Sequence, residues 1–292
     1  MPEHLWEVSL RVPDCLREQA IYHIGEFSPA GFEERDTSGP GAEFVFHMPQ
    51  DGDPGAPARF ARLISLLGVN QSALNMRRVA NEDWVRKVRE SIEPVVIGDL
   101  CVVPPWLEGH SASGQHELTI TPASAFGTGH HESTRLALGH VLAVAREPGV
   151  SSMLDVGCGT GILALGALVA GVEEAYGCDI DGGAVSCATE NARINGLADR
   201  FHIVCADISD LDKHDQFPAE FPLVAANLSA VLIQSKIGEL MKVTGTGGRI
   251  ILSGLYGPDA SSVSDLFCSE KWCLDATGEE GHWRSLVFRR KR

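Results

Sequence analysis

The sequence predicts an α/β fold: a mainly parallel sheet covered by helices on both faces, preceded by a small α+β domain. Three observations predict it. From residue 151, short apolar runs alternate with segments of helical periodicity; a glycine-rich turn follows the first of those runs; and the chain closes on two strand-like runs after the last helix. Strands that alternate with helices pair in parallel, because each crossover lays a helix on one face of the sheet.

The 292 residues, 44% hydrophobic and 22% charged, suffice for one full-sized domain plus a smaller one. "LWEVSLRV" alternates as a strand, and "DCLREQAIYHIGEF" carries apolar residues at helical spacing. "GAEFVFHMP" reads as a second strand and "APARFARLISLLGV" as a second helix, with "QDGDPGAP" as the loop between them. These make the small domain, 1–78. "NEDWVRKVRESI" reads as a connecting helix capped by Asn81 or Asp83, and "PVVIGDLCVVPPW" as a strand pair. The Gly-, Ser- and His-containing "LEGHSASGQHE" breaks that pattern, so 79–115 is read as the connection and 116–292 as the second domain. Its strands are "SMLDVG", "AYGCDI", "FHIVCAD", "PLVAANL" and "RIILSGL"; its helices run through "ILALGALVAG", through "AVSCATENARING" and after "PLVAANL". "WCLDATGE" and "WRSLVFRR" form an antiparallel hairpin closing one edge of the sheet.

Composition excludes several classes of function. A net charge of −15, with no basic cluster before the terminal "FRRKR", opposes sequence-independent binding to a nucleic-acid backbone and favours a basic partner. The first twenty residues scatter charges without a signal-peptide core, and no eighteen apolar residues run together, so a cytoplasmic protein with no membrane span is expected, acting as a monomer. Eight cysteines without a CxxC pair suggest buried, reduced thiols. No metal is expected, since His130 and His131 lack a third partner at ligand spacing.

The glycine turn carries the chemistry. Gly157, Gly159 and Gly161 are spaced GxGxG, where a dinucleotide fingerprint requires GxGxxG, and Asp155 precedes them in the strand. A ligand without phosphates needs room against the backbone and a polar group for an amino-acid moiety; S-adenosylmethionine is such a ligand. Asp179, ending the second strand in "GCDID", is placed to accept both ribose hydroxyls, with Asp181 as the alternative. Asp207, ending the third, either accepts from the adenine amino group or is a solvated loop acid.

Three further stretches, "SAFGTGHHEST", "AANLSAVLI" and "NEDWVRKVRESIEPVVIGDLCVVPPW", together with the opening "LWEVSL", resemble the ribosomal protein L11 methyltransferase family, PrmA, over nearly the whole chain. The resemblance implies a class I S-adenosylmethionine-dependent methyltransferase, a Rossmann-like sheet with a terminal antiparallel strand plus a small N-terminal α+β domain. It implies methyl transfer to lysine or N-terminal amino groups of a large-subunit ribosomal protein, which the small domain grips. Carried over by position, Phe126, Thr128 and Gly129 line the cofactor pocket; Gly157, Gly159 and Asp179 hold the methionine and ribose parts; Asn227, the candidate catalytic residue, and Leu228 lie beside the transferred methyl.

The chain departs from the family's DPGxAFGTGTHPTT at Thr121, Ala123, His130 and Glu132, and carries Val88 and Arg89 where the linking helix usually has Trp-Lys. These changes bear on the substrate and on the number of methyl groups added. A small-molecule or arginine N-methyltransferase, a non-catalytic cofactor-binding relative, and an NAD-dependent oxidoreductase are the competing readings. His130 and His131 are read either as a general base or as caps on the following helix. Trp84 and Trp106 are read as packing between the domains.

Overall fold

In the computed structural model, which describes residues 4–27, 32–36, 41–49, 56–80, 93–109, 111, 113–122, 127–267 and 270–292, the alternation of the first segment becomes strand β1 (His4–Val12), with Val8, Leu10 and Val12 turned inward. The chain divides into two units, Met1–Glu93 and Pro94–Arg292. In the first, β1 is followed by α1 (Arg17–Phe27), β2 (Phe32–Asp36), β3 (Ala42–Pro49), α2 (Ala56–Leu67) and β4 (Leu74–Ala80), and the strands form an antiparallel sheet in the order β2-β3-β1-β4. Val8, Leu10, Ile24, Phe44, Phe46 and Leu63 are fully buried between sheet and helices.

Strands β2 and β4 go beyond the sequence reading, and the reason is charge. "FEERD" and "LNMRRVA" hide their alternation behind charged residues on the face away from Val8 and Leu10: Arg77 pairs across the sheet with Glu7, Arg35 pairs along β2 with Glu33, and Arg11 pairs with Glu43 between the central strands. The helix expected over 81–92, including Trp84, lies outside the described residues. Trp106 is partly exposed.

The second unit opens with β5 (Val95–Ile97), β6 (Leu100–Val103) and β7 (His116–Thr119), where β6 pairs antiparallel with β5 and parallel with β7. Residues 95–103, assigned to the connection from sequence, thus belong to the second unit by their hydrogen bonding. Then come α3 (Glu132–Ala145), β8 (Ser152–Val156), α4 (Ile162–Ala170), β9 (Glu174–Asp179), α5 (Gly182–Ile194), β10 (Phe201–Cys205) and β11 (Phe221–Asn227). Two short helices, α6 (Ala230–Ser235) and α7 (Ile237–Val243), meet at Lys236 where one helix was expected, and lead to β12 (Thr244–Tyr256) and α8 (Gly257–Asp265). The hairpin of β13 (Trp272–Glu280) and β14 (Trp283–Arg290) follows.

The sheet order is β10-β9-β8-β11-β12-β14-β13, parallel from β10 to β12 and antiparallel beyond. Alternation splits each strand between two cores: Met153, Ala225 and Ile251 pack with Leu138 and Leu165 on one face, Leu154, Val224 and Ile250 with Ile233 and Leu240 on the other. Strand order reverses between β8 and β11, so a crevice opens at their carboxyl ends, the position where open parallel sheets take ligands.

A buried amide braces this edge. Asn191, on α5 and fully buried, donates to Thr160 O at 2.9 Å in the glycine turn and accepts from Thr121 N at 3.0 Å, 70 residues away. One turn on, Asn195 exchanges hydrogen bonds with both backbone groups of Thr119. Asn191→Ala leaves a buried N–H and a buried C=O unpaired, and we expect a loss of about 3 kcal/mol. In a melting experiment that is a fall in Tm of roughly 6–12 °C for a unit of this size.

Candidate functional site

The turn that joins β8 to α4 takes its shape from contacts on both sides. Gly157 has φ +69°, and a Cβ there would stand 2.5 Å from Leu228 Cδ2; Gly161 has φ +79°, and its Cβ would meet Phe201 Cε1 at 2.8 Å. A side chain at either position strains the backbone and collides with a neighbouring element. The glycines are therefore selected by packing against Leu228 and β10 as well as by the room a ligand needs.

Gly161 caps α4 and has no side chain to offer its first amides. Asp155 supplies an acceptor from within the sheet: its Oδ2 accepts from Ala164 N at 3.3 Å, at the third helical position. The carboxyl is 1% exposed, and its Oδ1 has no hydrogen-bond partner among the described residues. Burial pushes its pKa up to about 7, and the negative charge of Asp179 adds to the rise. Burial likewise raises the thiols of Cys158 and Cys178, the latter to about 12, which keeps both protonated.

Asp179, at the end of β9, organises the turn. Its Oδ2 accepts from Gly159 N and its Oδ1 from Asp181 N, both at 3.0 Å. A carboxylate oxygen accepts more than one hydrogen bond, so both retain capacity for hydroxyl donors. Asp181 is otherwise employed: it caps α5, accepting from Gly183 N at 2.8 Å. Between the two acids Ile180 is 77% exposed, an apolar side chain at the crevice rim that sequence reading passed over.

At the end of β10, Asp207 caps the following turn, and its Oδ1 receives Ser209 N, Ser209 Oγ and Lys236 Nζ at 2.7–2.9 Å. The Lys236 ammonium foremost, then Ser209, holds its carboxyl down to about 2. This leaves Oδ2 as the oxygen for any ligand. A lowered pKa stabilises the fold above the ordinary 3.8 and ceases to as pH falls toward 2. In melting curves Asp207→Asn should have a lower Tm than the parent at pH 7, and the two should converge near pH 2.

Asn227 ends β11 opposite Ser253 of β12. Its Nδ2 donates to Oγ1 of the fully buried Thr134 on α3 at 3.3 Å, while its buried Oδ1 is without a partner among the described residues. Gly254, φ +79°, leaves the backbone clear where a Cβ would lie 2.5 Å from Leu228 O and 3.1 Å from Asn227 Oδ1. Thr134 and Gly254 were not picked out from sequence. Thr134 sits 93 positions from Asn227, and only the fold brings them together.

The loop before α3 is pinned to the same turn. Thr160 Oγ1 donates to Gly127 O at 2.5 Å, Gly129 lies against Ile162 and Val102, and Thr128 Oγ1 is 3.4 Å from His130 Nδ1. Phe126 lies outside the described residues. His131 is the cap of α3, accepting from Ser133 N at 3.2 Å through Nδ1, and its ring meets Trp283 edge to face at 4.6 Å. Burial lowers the pKa of His131, keeping it neutral for that role. Arg135 ties His130 O to Glu280 at the tip of the terminal hairpin.

The crevice is thus lined by acceptors: two carboxylates and an amide oxygen. Helix α4, "ILALGALVA", carries no charged residue and offers no cation to a phosphate.

A family model described as ribosomal protein L11 methyltransferase (PrmA) matches residues 58–291. The ribosomal protein L11 methyltransferase of Desulfotalea psychrophila is 33% identical over 235 residues, 79% of this chain and 76% of that one. Its counterpart in Geobacter sulfurreducens is 31% identical over 275 residues, 91% and 86% of the two chains. Among solved structures, a ribosomal protein L11 methylase from Lactobacillus delbrueckii subsp. bulgaricus superposes with a TM-score of 0.58 at 25% identity, covering 69% of this chain and 100% of that one.

Proposed function

Since the chain belongs to the ribosomal protein L11 methyltransferase family, we propose that it methylates lysine or N-terminal amino groups of ribosomal protein L11, with S-adenosylmethionine as donor and Asn227 as the residue that orients the amine. The protein is an S-adenosylmethionine-dependent protein methyltransferase of class I fold. The unpartnered Oδ1 of Asn227, held beside the glycine turn by Thr134, carries the assignment of the reacting centre.

The residues present fit the cofactor. Asp155 Oδ1 and Asn227 Oδ1 are buried oxygens without a partner among the described residues, which suits a cationic ligand. Asp179 would hold the ribose hydroxyls, Asp155, Gly157, Gly159 and Gly161 would take the methionine part, Ile180 and Asp207 Oδ2 the adenine, and Thr128 and Gly129 the loop side. When bound, S-adenosylmethionine supplies a methyl group on a positively charged sulfur, so no covalent enzyme nucleophile is needed.

Asn227 has two tasks. Donation from Nδ2 to Thr134 leaves Oδ1 as the end that accepts from the incoming amine. An amide oxygen is also neutral: lysine, with an unperturbed pKa of about 10.4, must give up a proton, and a carboxylate in its place would hold the ammonium instead. Leu228, against Gly157, excludes water at the same point.

Substrate grip is assigned to the N-terminal domain, 1–78, and methyl transfer to the unit that holds the glycine turn, Pro94–Arg292. The reaction is placed in the cytoplasm, by a monomer, on protein and not nucleic acid; the net charge of −15 supports attraction to a basic substrate. Among the described residues no helix is long and apolar enough to cross a membrane. The test is mass spectrometry of ribosomal protein L11 after incubation with the protein and S-adenosylmethionine, beside Asn227→Ala. Mass steps of about 14 Da, one per methyl, that the variant loses are expected. No shift, with cofactor binding intact by calorimetry, would overturn the substrate.

A further inference from the structure

A carboxyl that is buried and has one oxygen without a partner is costly as an anion, and Asp155, 1% exposed, stands in that position on β8 just before the glycine turn. One backbone amide, Ala164 N at 3.3 Å, is the hydrogen bond it accepts. The titratable groups around it are Asp179 and Cys178 on β9 and Cys158 in the turn; α4 contributes none, and the paired residue on β11 is Ala225. Both thiols stay protonated, so the charge that Asp155 faces is the negative one of Asp179. An anion at Asp155 becomes favourable when a cation enters the turn.

We propose that Asp155 reads the charge of the occupant: below neutral pH it is protonated in the empty protein, releases its proton to water when S-adenosylmethionine brings its sulfonium, and takes a proton back once transfer has left the neutral thioether of S-adenosylhomocysteine. Asp155 is thereby a specificity-determining residue that favours donor over spent product. The step is a proton exchange alone: the O–H bond of Asp155 breaks, its electron pair stays on the carboxylate, and the proton leaves to solvent. The pKa of about 7 in the empty site places this exchange near neutral pH. The inference rests on the reading that S-adenosylmethionine binds at this turn.

The experiment is calorimetric titration of S-adenosylmethionine and of S-adenosylhomocysteine into the full chain between pH 5.5 and 7.5, each in two buffers of different ionisation enthalpy. The two ligands share the adenosine, amino and carboxylate groups, so titration of those groups, and responses of His130 or His131 to them, cancel in the comparison. The donor should release close to one proton more than the product at pH 6. The ratio of donor to product affinity should rise about tenfold per pH unit below pH 7 and level off above it. Asp155→Asn should make that ratio independent of pH.

A second readout uses the empty protein. A folded pKa raised above the ordinary 3.8 stabilises the fold at low pH, and that contribution is lost as pH rises through the folded value. The parent's Tm should therefore fall relative to that of Asp155→Asn between pH 5.5 and 8. Equal proton counts for the two ligands, or a ratio that keeps its pH dependence in the variant, would overturn the proposal. If the variant does not fold, the parent's proton counts still decide. Failure of either ligand to bind would instead strike the cofactor assignment on which the proposal stands.

Discussion

Asn227→Ala should lower kcat by about 10²-fold while the Kd for S-adenosylmethionine stays within about threefold. The variant keeps Leu228 against Gly157 and the backbone bond from Leu228 N to Ser253 O, so the turn retains its shape. What it removes is the amide: the buried oxygen that has no partner among the described residues, and the hydrogen bond from Nδ2 to Thr134 Oγ1. An amine no longer fixed by a hydrogen bond samples orientations off the line of attack, and a factor of 10² corresponds to about 2.7 kcal/mol of barrier. Stopped-time assays with saturating cofactor read kcat directly, and calorimetry reads Kd. A loss confined to cofactor affinity would show that Asn227 serves the donor and not the acceptor. Asn227→Asp makes a sharper test of the neutral-oxygen argument: a carboxylate stabilises the ammonium, so the pH profile of kcat/KM should move to higher pH.

Asp179→Ala should weaken S-adenosylmethionine binding by about 10²-fold or more, since hydrogen bonds to a charged acceptor contribute about 1.5–3 kcal/mol each. The carboxylate also orders the site before the ligand arrives, through Gly159 N and Asp181 N. Its removal therefore costs the ligand both a partner and a preformed turn. Asp179→Asn retains one acceptor oxygen and should fall between parent and alanine. An unchanged Kd for alanine would move the ribose contact to another residue, and Asp181 is already committed to capping α5.

The legible part of the site was the part written in short stretches. Glycine spacing, an acid at the end of the second strand and the asparagine after the fourth are local in sequence, and each stands at a carboxyl end of the sheet as the strand–helix alternation requires. Asp207 shows the limit of that logic. Its place at the end of β10 was readable, but the engagement of its Oδ1 by Lys236 was not, because that lysine comes 29 residues later between two short helices whose break has no clear signal in the sequence. The first unit teaches the same lesson: the residues of β2 and β4 read as polar, and the partner that Arg77 of β4 finds in Glu7 of β1 lies 70 positions away.

By itself, then, the sequence determined the strand–helix alternation from residue 151, the glycine-lined turn and the family, since periodicity and backbone freedom are properties of neighbouring residues. Tertiary structure decided which polar groups are satisfied. Whether Asp155 is an anion, which end of Asn227 faces the acceptor, and what holds Thr160 in the turn depend on burial and on partners such as Thr134, Asp179 and Asn191. Those partners are tens of residues away in the chain and within hydrogen-bond reach only after the sheet has formed, and electrostatic energy in a buried site depends on such distances and on the exclusion of water.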